Sequence, residues 1–213
     1  PGERKKAVDT CREGIDEAAE LGAAGFAFLS GPFDTGAVEA AMEALVESTG
    51  KLCSYAKEKN ITVIHEIFDH DIDKKSRVGP ADRARNYAEA VCVKHDNFGL
   101  MADLSHLPLL RESPRESLEP IREYLVHAHM GNCVVKSPDM PAYGDVHPRF
   151  GFPGSENDVE EVVAYIRALF EIGYLGDSGP KTISFEVKPF GDEEPDLVIA
   201  NAKRVLNAAW ARV

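Results

Sequence analysis

The chain has 213 residues, 44% hydrophobic and 28% charged, enough for one sizeable domain with a full apolar core. A formal charge of −12 with scattered Lys and Arg repels phosphate backbones, which argues against nucleic acid as a partner. No apolar run approaches the roughly 18 residues that a bilayer-spanning helix requires, so no membrane partner is expected.

In chain order, residues 3–21 place Ala7, Val8, Cys11, Ile15, Ala18 and Ala19 on one helical face, with Gly22 as the stop. Residues 23–31 form a short run of small and apolar residues ended by Gly-Pro, which predicts a buried strand. Helical spacing returns over 36–58 through Val38, Ala41, Leu45, Leu52 and Tyr55. The β-branched run 61–66 predicts the next strand. A helix near 81–94, a strand at 98–103, a short helix near 115–123 and a strand at 125–130 follow. Asn157 and Glu160 have the spacing of a capping box, opening a helix whose apolar face is Val159, Val162, Val163, Ile166 and Phe170. A last strand is predicted at 182–187, and a closing helix at 195–211 begins on Pro195, which suits a first helical position.

Strands alternating with amphipathic helices imply βα units, a parallel sheet and the α/β class. Five strands could make an open doubly wound sheet, but no Gly-rich phosphate loop follows any of them. Ionisable residues instead stand at the carboxyl ends of successive strands: Glu66, Asp103, His129 and Glu186. That end of a parallel (β/α)₈ TIM barrel carries its active site. The expectation is therefore a single TIM-barrel domain over residues 1–213.

Cys11, Cys53, Cys92 and Cys133 lie far apart without a CxxC pair. Reduced thiols and a cytoplasmic location are expected. Residues 131–156, with four prolines and four glycines, form a long connection of the kind that usually carries function. His147, Arg149 and Phe150 within it point the same way. The polar stretch 68–80 either shapes a pocket or is a solvated loop.

Three carboxylates and one imidazole make a hard, oxygen-rich ligand set. It suits one divalent ion, Mn²⁺ foremost, with Mg²⁺, Co²⁺ or Zn²⁺ as alternatives. A lone carboxylate at the end of a buried strand is costly to desolvate, and a bound cation offsets that cost. His127, two residues before His129, shares its face and is read as a packed neighbour. His65, His70 and His95 are assigned structural or surface roles.

The order of VIHE (63–66), DLSH (103–106), VHAHMGN (126–132) and ISFEVKP (183–189) resembles the xylose-isomerase-like superfamily of sugar isomerases and epimerases. The resemblance implies Glu66, Asp103, His129 and Glu186 as metal ligands on the fifth to eighth barrel strands. It implies Glu66 and Glu186 as the catalytic pair that exchanges a proton α to a carbonyl through an enediolate. His106, His147 and Arg149 would contact a small sugar-like substrate, and a homodimer or tetramer is usual in the group. The first barrel strands are then missing from this chain, implying a further N-terminal segment of about 70–80 residues by the usual barrel size. One departure concerns substrate: the epimerases carry a glutamate six residues after the first ligand, where this chain has Ile72. Metal-dependent dehydration, phosphodiester hydrolysis and a non-catalytic sugar-binding role stay open as alternatives on the same scaffold.

Overall fold

Each apolar run predicted as a strand pairs with the next in chain order, and all the pairings are parallel. The computed structural model describes residues 2–32, 35–176 and 181–213. Helix α1 (Gly2–Glu20) leads into β1 (Gly25–Phe28), then α2 (Val38–Lys57), β2 (Thr62–Glu66) and α3 (Ala81–Cys92). Strand β3 (Phe98–Asp103) is followed by two short helices, α4 (His106–Leu110) and α5 (Pro114–Leu118). Strand β4 (Leu125–Gly131), α6 (Val159–Glu171), β5 (Ile183–Glu186) and α7 (Pro195–Trp210) complete the order. Five adjacent parallel strands with helices on one side form a half-barrel.

Strand side chains alternate between two faces, and one face packs on the helices. Val63, His65, Leu100, Ala102, Ala128 and Met130 are buried there. The helices answer at helical spacing, with Val162, Val163, Ile166 and Leu169 on α6, and Val198, Ala202, Val205 and Ala209 on α7. Full burial of each Leu- or Ile-sized side chain contributes roughly 1.5–3 kcal/mol. His65 belongs to this packing, as expected of a structural histidine. Its Nδ1 lies 3.1 Å from the Tyr87 hydroxyl of α3, and Thr49 of α2 lies 2.6 Å from the same hydroxyl.

Several local expectations are corrected. Strand β1 is shorter than predicted, and Ala27 within it is exposed. Among the described residues β1 pairs only with β2 and is an edge strand. The capping box of α6 sits one residue later, where the Glu161 carboxylate accepts the Asp158 N–H at 2.9 Å. Asn157 is instead buried and turned inward. Phe170 stands at the edge of the helix's apolar face, 38% exposed against Trp210. Helix α4 starts three residues after Asp103 and was not foreseen; Arg111, in the left-handed conformation with φ 61°, ends it.

Candidate metal centre

The four strand-end residues meet, but not because they stand side by side in register. Glu66 pairs with Met101, so Asp103 lies two residues further along. Asp103 pairs with His129, and His129 with Ser184, two residues short of Glu186. Barrel strands tilt against the axis, and the stagger between neighbours offsets that tilt. Residues that climb along successive strands therefore reach a common level.

At that level one donor atom from each of Glu66, Asp103, His129 and Glu186 lies within 4.8 Å of all the others. His129 Nδ1 is the hub, 2.5 Å from Glu186 Oε2, 3.6 Å from Asp103 Oδ2 and 3.8 Å from Glu66 Oε1. The Ser105 N–H donates to Asp103 Oδ1 at 2.5 Å and fixes that carboxylate. Asp103 Oδ2 and Glu66 Oε1 are left buried without a hydrogen-bond partner. Buried, unpartnered carboxylate oxygens cost several kcal/mol unless a cation compensates them. The donor set therefore fits a divalent ion.

The electrostatics of the ion-free chain agree. Burial pushes Glu66 up to about 7, and burial likewise raises Asp103. Glu186 is pushed up by burial, but the His129 hydrogen bond and the charge of His147 outweigh it, leaving its pKa at about 2. Burial alone would lower His129, yet Glu186, Asp103 and Glu66 raise it. Protons thus offset the negative charge that the three carboxylates bring together.

A second group adjoins the first. His106, Asp145 and His147 are all buried, with ligand atoms also within 4.8 Å of one another. Asp145 Oδ1 lies 2.8 Å from His147 Nε2 and 3.2 Å from His106 Nε2. Neither approach is aligned as a hydrogen bond, since Asp145 Oδ1 and His106 Nε2 both lack a partner. Ligands of one cation face one another in this way. Burial would lower His106, but Asp145, Asp103 and Glu66 together raise it to about 10. Burial would raise Asp145, but the two imidazoles hold it well below the usual carboxylate range.

The backbone that delivers this second group is tied at several points. His106 Nδ1 donates to the Ile67 carbonyl at 2.7 Å, and its ring lies against Phe68. His147 adopts a left-handed backbone with φ 55°, a conformation that costs about 1–2 kcal/mol. Its Nδ1 donates to the Glu186 carbonyl at 3.0 Å, and its own carbonyl accepts the Lys188 N–H at 2.8 Å. The close passage requires Gly131, because a Cβ there would lie 2.8 Å from His147 Nδ1 and 2.9 Å from Asp103 Oδ1. Two buried amides latch the loop ends. Asn132 Oδ1 accepts the Asn157 N–H at 2.8 Å, and Asn157 Nδ2 donates to the carbonyls of Gly131 and Leu104.

Glu66, Asp103, His129, Glu186, His106 and His147 are thus brought together. Arg149 is not. Its Nε donates to Glu193 at 2.8 Å, its Nη1 reaches the Gly151 carbonyl, and its guanidinium lies over Phe152. His127 packs edge-on against His129 and lies 3.2 Å from Ser184 Oγ. Asp145 was missed from sequence; the available signal was a carboxylate two residues before His147 in a long loop. A groove of about 470 Å³ runs along the inner sheet face below His129, lined by Ala27, Ile64, Met101, His127 and Thr182. A larger groove of about 730 Å³ lies between α2 and α3, away from both donor groups.

A parallel half-barrel with acids and histidines gathered at the carboxyl ends of its strands has the α/β architecture in which TIM-barrel proteins carry their active sites. A family model described as xylose isomerase-like TIM barrel matches residues 1–208, and the chain belongs to that family. No curated protein matches the sequence. Among solved structures, D-psicose 3-epimerase from Clostridium cellulolyticum H10 is similar at 18% identity and a TM-score of 0.62, over 99% of this chain and 69% of that one. The 3-keto-D-glucoside 4-epimerase of E. coli is similar at 16% identity and a TM-score of 0.64, over 96% and 70%. An AP endonuclease of family 2 from Brucella melitensis is similar at 16% and 0.61, over 89% and 64%. At such identities the likeness shows the fold. No described helix is long and apolar enough to cross a membrane, and all four cysteines are free thiols.

Proposed function

We propose that the protein is a metal-dependent isomerase or epimerase of a sugar or related hydroxy-carbonyl compound. The observation that carries this reading is the convergence of Glu66, Asp103, His129 and Glu186 from four consecutive strand ends, in a chain whose fold is that of sugar epimerases. These four residues would hold one divalent ion, Mn²⁺ first among Mg²⁺, Co²⁺ and Zn²⁺. When bound, the ion supplies Lewis-acid polarisation of a carbonyl and compensates negative charge that develops beside it.

The remaining chemistry belongs to the chain. Glu66 and Glu186 come from the outer two of the four ligand-bearing strands, β2 and β5, with Asp103 and His129 between them. One removes the proton α to the carbonyl, forming an enediolate, and the other returns a proton on the opposite face. Beside a cation Glu66 loses the proton that burial lets it keep near pH 7 and is ready to act as base. His106 and His147 border the same space and orient substrate oxygens, or join Asp145 in holding a second ion. A small substrate entering from the strand ends meets Glu66, His129 and Glu186 first, since Asp103, His106 and Asp145 are buried.

The test is incubation with a panel of ketoses and related hydroxy-ketones in D₂O. Deuterium at the carbon next to the carbonyl is expected for at least one; none in any, with the ion loaded, sinks the reading. The His106–Asp145–His147 group favours a second reading, hydrolysis of a phosphodiester by paired cations. The acidic chain speaks against a polyanionic substrate. Phosphodiester cleavage without deuterium exchange would select it.

A further inference from the structure

The polar stretch after β2 is built around one buried carboxylate. Asp69 is fully buried and accepts backbone N–H groups from Ile72 at 2.7 Å, Asp73 at 2.8 Å and Lys74 at 2.9 Å, with Lys75 at 3.4 Å. Its own carbonyl accepts the Ser76 N–H at 2.7 Å. Ser76 Oγ lies 2.8 Å from Ser30 Oγ, beyond the end of β1. Four N–H groups on one carboxylate leave the segment 70–76 little freedom. A solvated loop has no use for such a fixture.

What the fixture holds is Asp145. Asp73 Oδ2 accepts the Asp145 N–H at 2.7 Å. The approach depends on Gly144, whose φ of +93° and missing Cβ leave room for the Asp73 carboxylate, 2.9 Å from where that Cβ would stand. Lys74 Nζ lies 3.2 Å from Asp145 Oδ2. The other oxygen, Oδ1, is the one that faces His106 and His147. The two oxygens of one carboxylate are thus divided between an ammonium and a pair of imidazoles.

We infer that Lys74, seated by the Asp69 turn, is a positioning residue that holds Asp145 as a one-oxygen ligand of a cation shared with His106 and His147. The inference rests on that second group binding a cation. Lys74 fixes the rotation of the carboxylate and neutralises its outward oxygen. Without it the side chain turns freely or offers both oxygens, and the imidazoles lose a ligand held at fixed distance. Partners of this kind change metal affinity by about 10–100-fold when removed. The loop around Ile72 is thus turned to bracing Asp145.

The test titrates the intact protein with Co²⁺ alone, following calorimetry and visible absorption together. Wild type is expected to bind Co²⁺ in two classes. Lys74→Met weakens one class about tenfold or more and alters its absorption, leaving the other class unchanged. Lys74→Arg restores most of the loss, because it keeps a cation on Asp145 Oδ2. Asp69→Asn, which weakens the turn at a distance, lowers the same class by less. Two classes untouched by Lys74→Met, or weakened equally by it, overturn the assignment of Lys74 while the second group stands. A single class in wild type overturns the assignment together with the second cation on which it rests, and leaves the four-residue group intact.

Discussion

The two donor groups share a wall and differ in how the chain builds them. Every member of the first stands on a β-strand, where ladder hydrogen bonds and core packing fix the backbone. In the second, His106 opens a five-residue helix, and Asp145 and His147 hang from a loop of irregular structure. The first is richer in carboxylates, the second in imidazoles. Strands supply invariant geometry, while the loop supplies ligands whose placement depends on latches: the amides of Asn132 and Asn157, and the turn around Asp69. A site assembled this way keeps its chemistry in the rigid half and its selectivity in the adjustable half.

The widest separation between the halves is expected in turnover. Glu186→Gln keeps the shape of the side chain and removes its basicity, so proton exchange falls about 10²–10⁴-fold. Circular dichroism should be unchanged, and retained exchange removes Glu186 from the catalytic pair. Asp145→Asn acts on the other half. It loses one Co²⁺ class, weakened about 100-fold, and spares the class held by the strands. Loss of both classes would show that the groups form one site.

The pH dependence sharpens the comparison further. In the ion-free protein His106 is raised to about 10 and Glu66 to about 7, so the folded state binds more protons than the unfolded one. Stability from the His106 proton is full below about 6.5, its unfolded value, and is lost as pH rises through 10. Glu66 adds a decline between about 4.5 and 7, because its charged form is disfavoured in the fold. His65, which burial pushes down to about 3, adds a rise in stability up to about pH 6.5 that opposes the Glu66 decline. Thermal unfolding without metal should therefore show a melting temperature that falls between about pH 6.5 and pH 10. Ions displace these protons, so Co²⁺ affinity rises with pH, by about tenfold per unit for each proton released. A flat profile contradicts this proton occupancy.

Smaller effects fall on the seam. Gly131→Ala pushes a methyl group against His147, Asp103 and the Glu186 carbonyl, with a cost of about 1–3 kcal/mol and weaker binding in both Co²⁺ classes. Arg149→Ala should be milder still. Its ion pair with Glu193 is partly exposed, worth about 1 kcal/mol or less, and KM should change little. A large rise in KM would mean that Arg149 leaves Glu193 to grip substrate.

The same division governs what could be read from sequence. The strand-end acids were visible because short apolar and β-branched runs mark strands, and four of the five runs carry an ionisable residue at or near the carboxyl end. Their convergence was less so, since it depends on a stagger that leaves Glu66 opposite Met101 and Glu186 opposite Gly131. Asp145 was missed, because loop residues carry no periodicity and only its place two residues before His147 pointed to it. His106 was expected to face substrate. Its depth in the site, at 1% exposure, was not legible, since helix α4, which lays it against Phe68, was not foreseen. The capping box slipped by one residue because Asn157 was needed inward, on the carbonyls of Gly131 and Leu104.

Those two asparagines carry one more consequence. By joining residue 132 to residue 157 directly, they bring both ends of the long loop to one fixed point on the barrel rim. The span between, apart from Asp145 and His147 with their ties to Asp73 and β5, is then a replaceable cassette. Its length and sequence can drift through evolution or be exchanged in the laboratory without disturbing the strands, so long as the clasp at its base survives.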